Sequence, residues 1–74
     1  MIRIEIECTG HTGVGLTYDV YNFIGNPEIK NRIAKDTTEP EKAILRWYSS
    51  YKGSQVAVYR VQKPELQYTL TIPR

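Results

Sequence analysis

This sequence of 74 residues is poor in cysteine and histidine and has no long apolar run. Its single cysteine, Cys8, excludes an intrachain disulfide, and a single histidine leaves too few Cys and His ligands for a structural zinc site, which takes four ligands. A lone cysteine is more typical of a reducing compartment than of secretion, so we expect a cytoplasmic protein. No stretch approaches the roughly 20 apolar residues of a membrane span. We therefore expect a domain without metal, cofactor or membrane anchor.

Acidic side chains are almost missing from the second half of the chain. Residues 42–74 carry six basic side chains and one acidic side chain, whereas residues 1–41 carry four basic and seven acidic ones. Four of the six tyrosines and the only tryptophan also lie in the second half. Aromatic residues and arginine are enriched at protein interfaces, which favours a binding function. The overall charge of +2 is too small to indicate nucleic acid by itself.

Alternation of apolar and polar residues predicts strands near both ends of the chain. Residues 1–8 place isoleucines and Cys8 on one face and charged side chains on the other, which is typical of a half-buried strand. A turn rich in glycine at 9–15 leads to a second strand at 16–24. Residues 55–62 and 65–72 are predicted to form a closing hairpin that turns at Lys63 and Pro64.

Two interpretations remain open for residues 26–35. Gly25, Asn26 and Pro27 suit a hairpin turn into a third strand at 29–35. Alternatively, Asn26 caps a short helix with Pro27 at its first position, which would bury Ile29 and Ile33.

The region 38–52 predicts an amphipathic helix. Thr38 and Glu41 form a capping-box pattern, and apolar residues follow at spacings of three and four: Ala43, Ile44, Trp47, Tyr48 and Tyr51. Gly53 is expected to end the helix in a left-handed cap. Because the stripe should face the sheet, we expect Trp47 in the core. The chain is thus a single α+β domain, an antiparallel sheet of four to five strands in the order β-β-β-α-β-β, with one helix packed on one face.

The motifs that suggest chemistry are incomplete. The segment 10–15 is rich in glycine but lacks the Lys and Ser/Thr of a phosphate-binding loop, so it is more typical of a hairpin. Cys8 and His11 are too few for a metal site, and nothing in the sequence orients His11 toward a thiol that is expected to point inward. We therefore expect a protein that is not an enzyme.

The candidate partner-binding residues are the cations and the tyrosine of the basic half. They are Arg46, Lys52, Tyr59, Arg60 and Lys63. Arg46 and Lys52 flank the apolar stripe of the predicted helix and should be exposed. Burial of Val56 and Val58 would display Tyr59 on the outer face of the sheet.

The layout of the chain resembles small phage-encoded anti-defence proteins, above all the anti-CRISPR inhibitors. The features that carry the resemblance are the first strand at 1–8, the helix entry at 36–43 and the closing hairpin at 55–72. The resemblance implies an inhibitor that blocks a larger protein or ribonucleoprotein complex of the host by direct contact. This class has no common motif, so the resemblance assigns no residue. The alternative is a nucleic-acid-binding module that uses the basic and aromatic half; the chain is expected to be a monomer or a homodimer.

Overall fold

Over residues 1–62 and 65–74, which are the residues that the structure describes, the computed structural model forms five strands and one helix. The elements are β1 (Ile2–Thr12), β2 (Gly15–Ile24), β3 (Ile29–Thr37), α1 (Pro40–Trp47), β4 (Gln55–Arg60) and β5 (Leu66–Thr71). The predicted α+β class and the order β-β-β-α-β-β are confirmed. The predicted turn at Lys63 and Pro64 lies outside the described residues.

The sheet is mixed, so the prediction of a purely antiparallel sheet is wrong. Its strand order is β3-β2-β1-β4-β5, and the central pair β1 and β4 is parallel. The reason lies in the connection through α1. Two hairpins make β3 run in the same direction as β1, and a helix that crosses the face of the sheet returns the chain to β4 in that direction again. The predicted closing hairpin, β4 with β5, is antiparallel.

The first three strands form a meander. The residues from Ile29 to Thr37 form a strand beside β2, which decides against the helical alternative. β1 continues to Thr12 and β2 begins at Gly15, so the turn is much tighter than the predicted 9–15. A register shift between Cys8 and Gly10 and the positive φ of Gly15, 131°, allow β1 to extend this far.

The helix is shorter than predicted and begins differently. The capping box does not form, because Glu39 is the N-cap residue and its backbone N–H donates to Thr37 Oγ1 at 3.1 Å. The helix ends at Trp47, so Lys52 lies beyond it and Gly53 belongs to the turn that leads to β4. Gly53 has a φ of 82°, and its N–H donates to Ile72 O. Among the described residues, no helix is long and apolar enough to cross a membrane.

The core lies between α1 and one face of the sheet. Its residues come from β1, β2 and β4, from α1 and its C-cap, and from the position after β5. They are Ile4, Ile6, Val20, Ile44, Tyr48, Val56, Val58 and Ile72. The opposite face of the sheet is not covered by the helix, and we call it the open face. Trp47 is not in the core: half of its surface, 51%, is exposed.

Replacing Ile44 tests how much the fold depends on the one helix. Ile44 is fully buried, so we expect Ile44→Ala to lower the free energy of unfolding by about 2–5 kcal/mol through lost burial and a cavity. Arg46→Ala, on the exposed side of the same helix, should change it by only about 0.5 kcal/mol. Urea denaturation followed by circular dichroism measures both; equal losses would contradict the described packing.

Tyr68 makes the fold sensitive to alkaline pH. Burial raises the pKa of its phenol to about 12 from 10.0, and the charge of Glu41 adds to the shift. The folded state thus favours the neutral phenol. The stability that the neutral Tyr68 phenol contributes is complete below about pH 10, the ordinary pKa, and is lost as the pH rises toward 12, the pKa in the folded state. We expect Tyr68→Phe to reduce the loss of stability over this range in thermal denaturation series. An unchanged pH dependence would contradict this assignment.

Candidate functional site

The predicted partner-binding residues do not form one surface. Arg46 is exposed in the last turn of α1, and Lys52 is exposed in the turn that follows. Tyr59 lies on the open face, as predicted for buried Val56 and Val58. Arg60 alternates with Tyr59 and lies on the helix side, where its Nη2 is 3.5 Å from Tyr18 Oη. Lys63 lies outside the described residues.

The open face carries aromatic rings that are already covered by cations of the same chain. The Arg3 guanidinium lies 5.3 Å from the centroid of the Phe23 ring and 5.2 Å from that of Tyr59. It also bonds Glu5 Oε2 at 3.0 Å. Such cation–π contacts and ion pairs stabilise the face modestly in water. The Arg3 guanidinium is therefore already engaged in contacts within the chain.

A second group on the open face is organised by Asp19. This carboxylate is nearly buried and accepts hydrogen bonds from Tyr21 Oη (3.4 Å), Arg32 Nη1 (3.5 Å) and the backbone N–H of Asp36 (2.9 Å). The last bond holds Asp36 at a positive φ of 49°. Burial and the neighbouring charge of Asp19 raise the pKa of Tyr21. Asp19 therefore links β2 to the irregular end of β3, and its role is structural.

Four large exposed apolar residues gather around a cleft at the end of α1. The cleft measures about 400 Å³, and its walls include Met1, Ile24, Trp47 and Tyr51. Between 45% and 84% of the surface of each of these four residues is exposed. Arg3 and Glu28 supply charge to the lining. Large exposed apolar groups that cluster in this way mark interaction sites more often than isolated ones do.

Buried Asn22 fixes the aromatic wall of this cleft from below. With its amide oxygen toward the helix, Asn22 accepts hydrogen bonds from Trp47 Nε1 at 3.1 Å and from Tyr48 Oη at 3.0 Å. Its Nδ2 then donates to the backbone oxygen of Asn31 at 3.1 Å. The reverse orientation would point the amide nitrogen at the indole N–H, so the bonding partners select the first. Trp47 is thus anchored by its nitrogen while much of its indole surface stays in solvent.

The wall is further fixed by Tyr51. Its ring meets that of Tyr48 edge to face, with centroids 5.1 Å apart and planes at 81°. The backbone N–H of Tyr51 donates to Tyr48 O at 2.9 Å. Because Tyr48 is itself buried, Tyr51 is held by a rigid neighbour although half of its own surface is exposed.

A smaller cleft adjoins the other side of Trp47. It measures about 180 Å³ and lies between α1 and β3, with Ile33, Ala43 and Arg46 among its lining residues. Trp47 therefore forms a ridge between the two clefts. Of the four predicted partner-binding residues that the structure describes, Arg46 lines the smaller cleft, and Lys52, Tyr59 and Arg60 line neither.

The remaining candidate for chemistry is the pair Cys8 and His11. Cys8 is half-buried on the helix side of β1, and its Sγ lies 3.8 Å from Gly10 O. Within residues 1–62 and 65–74, no three His, Cys, Asp or Glu side chains are grouped so that they would hold a metal ion.

Comparisons with protein-family models, curated proteins and solved structures give no match for this chain. The resemblance to anti-CRISPR inhibitors therefore stays a prediction.

The main residues of the cleft were missed from the sequence. The predicted apolar stripe turns Trp47 and Tyr51 toward the sheet, and Asn22 belongs to no predicted site. One signal was present: Asn22 continues the inward alternation of Tyr18 and Val20 in β2, where a polar residue must find a partner.

Removal of the Asn22 amide should loosen the cleft wall. In Asn22→Ala, the nearly buried Tyr48 hydroxyl and the Trp47 N–H lose their acceptor, and we expect stability to fall by about 1–3 kcal/mol. Tyr48→Phe removes only one donor and should cost less. Denaturation followed by the fluorescence of Trp47, the only tryptophan, measures both. A smaller loss in Asn22→Ala than in Tyr48→Phe would contradict the bonding scheme.

Proposed function

We propose that this chain is a small non-enzymatic binding protein that inhibits a larger protein or ribonucleoprotein complex by direct contact. The observation that carries the proposal is the cleft with its half-exposed aromatic walls, Trp47 and Tyr51. Tryptophan and tyrosine are the residue types that most often dominate the energy of protein interfaces. Their indole and phenol rings combine a large apolar area with few rotatable bonds.

The rigidity of the cleft supports tight binding. Trp47 is held by Asn22, and Tyr51 packs against buried Tyr48. Side chains that are already fixed lose little conformational entropy when a partner binds, so more of the contact energy appears as affinity. Binding without turnover is what an inhibitor requires.

The shape of the cleft favours a macromolecule over a small ligand. A pocket for a small molecule usually buries 70–90% of the ligand. Here Met1 keeps 84% of its surface exposed and Ile24 keeps 45%, so these walls stand in solvent. A protruding apolar side chain of a partner protein would cover such walls as it entered.

Nucleic acid is the weaker alternative for this surface arrangement. Stacking of bases needs a free ring face beside cations that can reach phosphates. Tyr59 and Phe23 lie beneath Arg3, and the same face carries the carboxylates of Glu5 and Asp19. Arg60 lies on the opposite face from Tyr59. These contacts favour a protein partner.

The resemblance to anti-CRISPR inhibitors suggests where this function takes place and what kind of complex it blocks. It implies a target complex in the host cytoplasm and a block by occupancy, in which one inhibitor disables one complex. The cleft provides a contact surface for such a block, with Arg46 on the adjoining face of Trp47.

The proposal is tested by capture of a nuclease complex of a prokaryotic defence system from lysate, with and without nuclease digestion. We expect capture to survive digestion and to weaken at least tenfold with Tyr51→Ala or Ile24→Ser, a change of about 1.4 kcal/mol. Val14→Ser is the matched control, since Val14 is 82% exposed at the tip of the β1–β2 hairpin, away from the cleft. Circular dichroism verifies that each variant is folded.

Inhibition is measured separately by titration of the captured complex. Activity should fall in proportion to added protein and reach its minimum at a fixed molar ratio. Recovery of nucleic acid alone, with an affinity that falls steeply as salt rises, would instead support the nucleic-acid alternative. Loss of capture in Val14→Ser but not in Tyr51→Ala would show that the cleft is not the contact surface.

A further inference from the structure

The two edges of the sheet differ in how they are protected against pairing with another strand. β3 carries Lys30, Arg32 and Lys35, and its pairing with β2 contains two register shifts. Charged side chains and bulges of this kind discourage the addition of a further strand. β5 has the sequence LQYTLT, without a charged residue or proline, and its pairing with β4 contains a single register shift, between Val58 and Tyr59. β5 is therefore the open edge of this sheet.

The hydrogen bonds around Ile72 show which main-chain groups of β5 face outward. The N–H of Ile72 donates to Ser54 O at 2.8 Å, and its C=O accepts from Gly53 N at 2.9 Å, so both groups point toward the β4 side. Backbone groups alternate in direction along a strand. The alternation is regular over residues 68–72, so the backbone groups of Tyr68 and Leu70 also face β4, and those of Thr69 and Thr71 face the open edge; Gln67 lies at the register shift between Val58 and Tyr59.

We propose that β5 pairs antiparallel with β5 of a second copy of this chain, about a two-fold axis at Thr69. In this register Thr69 faces Thr69 of the second copy, and Gln67 faces Thr71. At the axis, outward-facing Thr69 then meets outward-facing Thr69, and such a pair exchanges two main-chain hydrogen bonds. The result is a continuous sheet of two copies, closed by an isologous interface.

The side chains of β5 match themselves in the same register. Tyr68 lies opposite Leu70 of the second copy on the helix side, where both residues are only half-buried within one chain. Thr69 and Thr71 are exposed and lie on the open face opposite Ala57 and Gln55, and Gln67 is also exposed. Apolar side chains thus meet apolar ones and polar side chains meet polar ones, which is why a second copy is the occupant that fits this edge.

The test measures the solution mass of the full chain by sedimentation equilibrium over a concentration series. The wild-type protein should approach twice the chain mass of 8.6 kDa as its concentration rises. In Thr69→Lys, the two lysines face each other across the axis, where directly opposed like charges destabilise pairing, and the dissociation constant should rise at least tenfold. Thr69→Glu should have the same effect for the same reason.

Mixing the two variants separates the proposed register from a folding defect. An equimolar mixture of Thr69→Lys and Thr69→Glu should restore the dimer, because lysine then faces glutamate. Thr71→Lys is the matched control: its lysine faces Gln67 rather than another lysine, so it should weaken the dimer less. A wild-type mass that stays at one chain up to the solubility limit would overturn the proposal. So would a mixture that remains monomeric, or equal effects of Thr69→Lys and Thr71→Lys.

Discussion

One short helix has to cover a five-stranded sheet, and the surface of this domain follows from that limit. The eight residues of α1 span only about 12 Å, whereas the five strands extend about 19 Å from the first to the last. The helix lies nearest to β3 and β2, and Ile44 and Tyr48 join the core residues of β1, β2 and β4, so the sheet is covered only in part. At the end of α1, the uncovered space is the cleft beside Trp47. Elsewhere Arg60 lies on the helix side with Tyr18 as a polar neighbour.

On the open face, which no helix covers, charged side chains of the same chain lie over the aromatic rings. Its aromatic rings, Phe23, Tyr21 and Tyr59, would form an apolar surface if they stood alone. Arg3 lies over two of them and Lys30 lies 4.3 Å from the centroid of the third. Glu5 pairs with both cations, at 3.0 Å and 3.5 Å. These rings are thus in contact with the chain's own charges, whereas Trp47 and Tyr51 at the cleft leave about half of their surface exposed.

Local patterns predicted the strands well because alternation is a local property. The isoleucine face of β1 and the alternation in β5 are visible in the sequence without knowledge of their neighbours. The direction of β4 is not local: it depends on a crossover from β3 that only the assembled sheet defines. The predicted core-facing side of α1 is wrong, because the predicted stripe includes Trp47 and omits Leu45. Burial of Ile44, Leu45 and Tyr48 turns the helix so that Trp47 moves to its margin. The predicted start of α1 is also wrong. The backbone N–H of Glu39 bonds the hydroxyl of Thr37, whereas the predicted capping box uses Thr38.

The cleft and the β5 edge occupy different parts of the molecule, and this separation has a consequence for the proposed function. No residue of β5 lines the cleft, so pairing through β5 leaves the cleft uncovered in each copy. A two-fold dimer then presents two equivalent clefts in a fixed relation. On a target with repeated or symmetric subunits, the second contact would form within the same complex, and avidity can exceed single-site affinity by about 10²–10⁴. Substitutions at Thr69 would then lower avidity while each cleft keeps its intrinsic affinity. Substitutions at Tyr51 would lower both, so the two surfaces are distinguishable in one binding experiment.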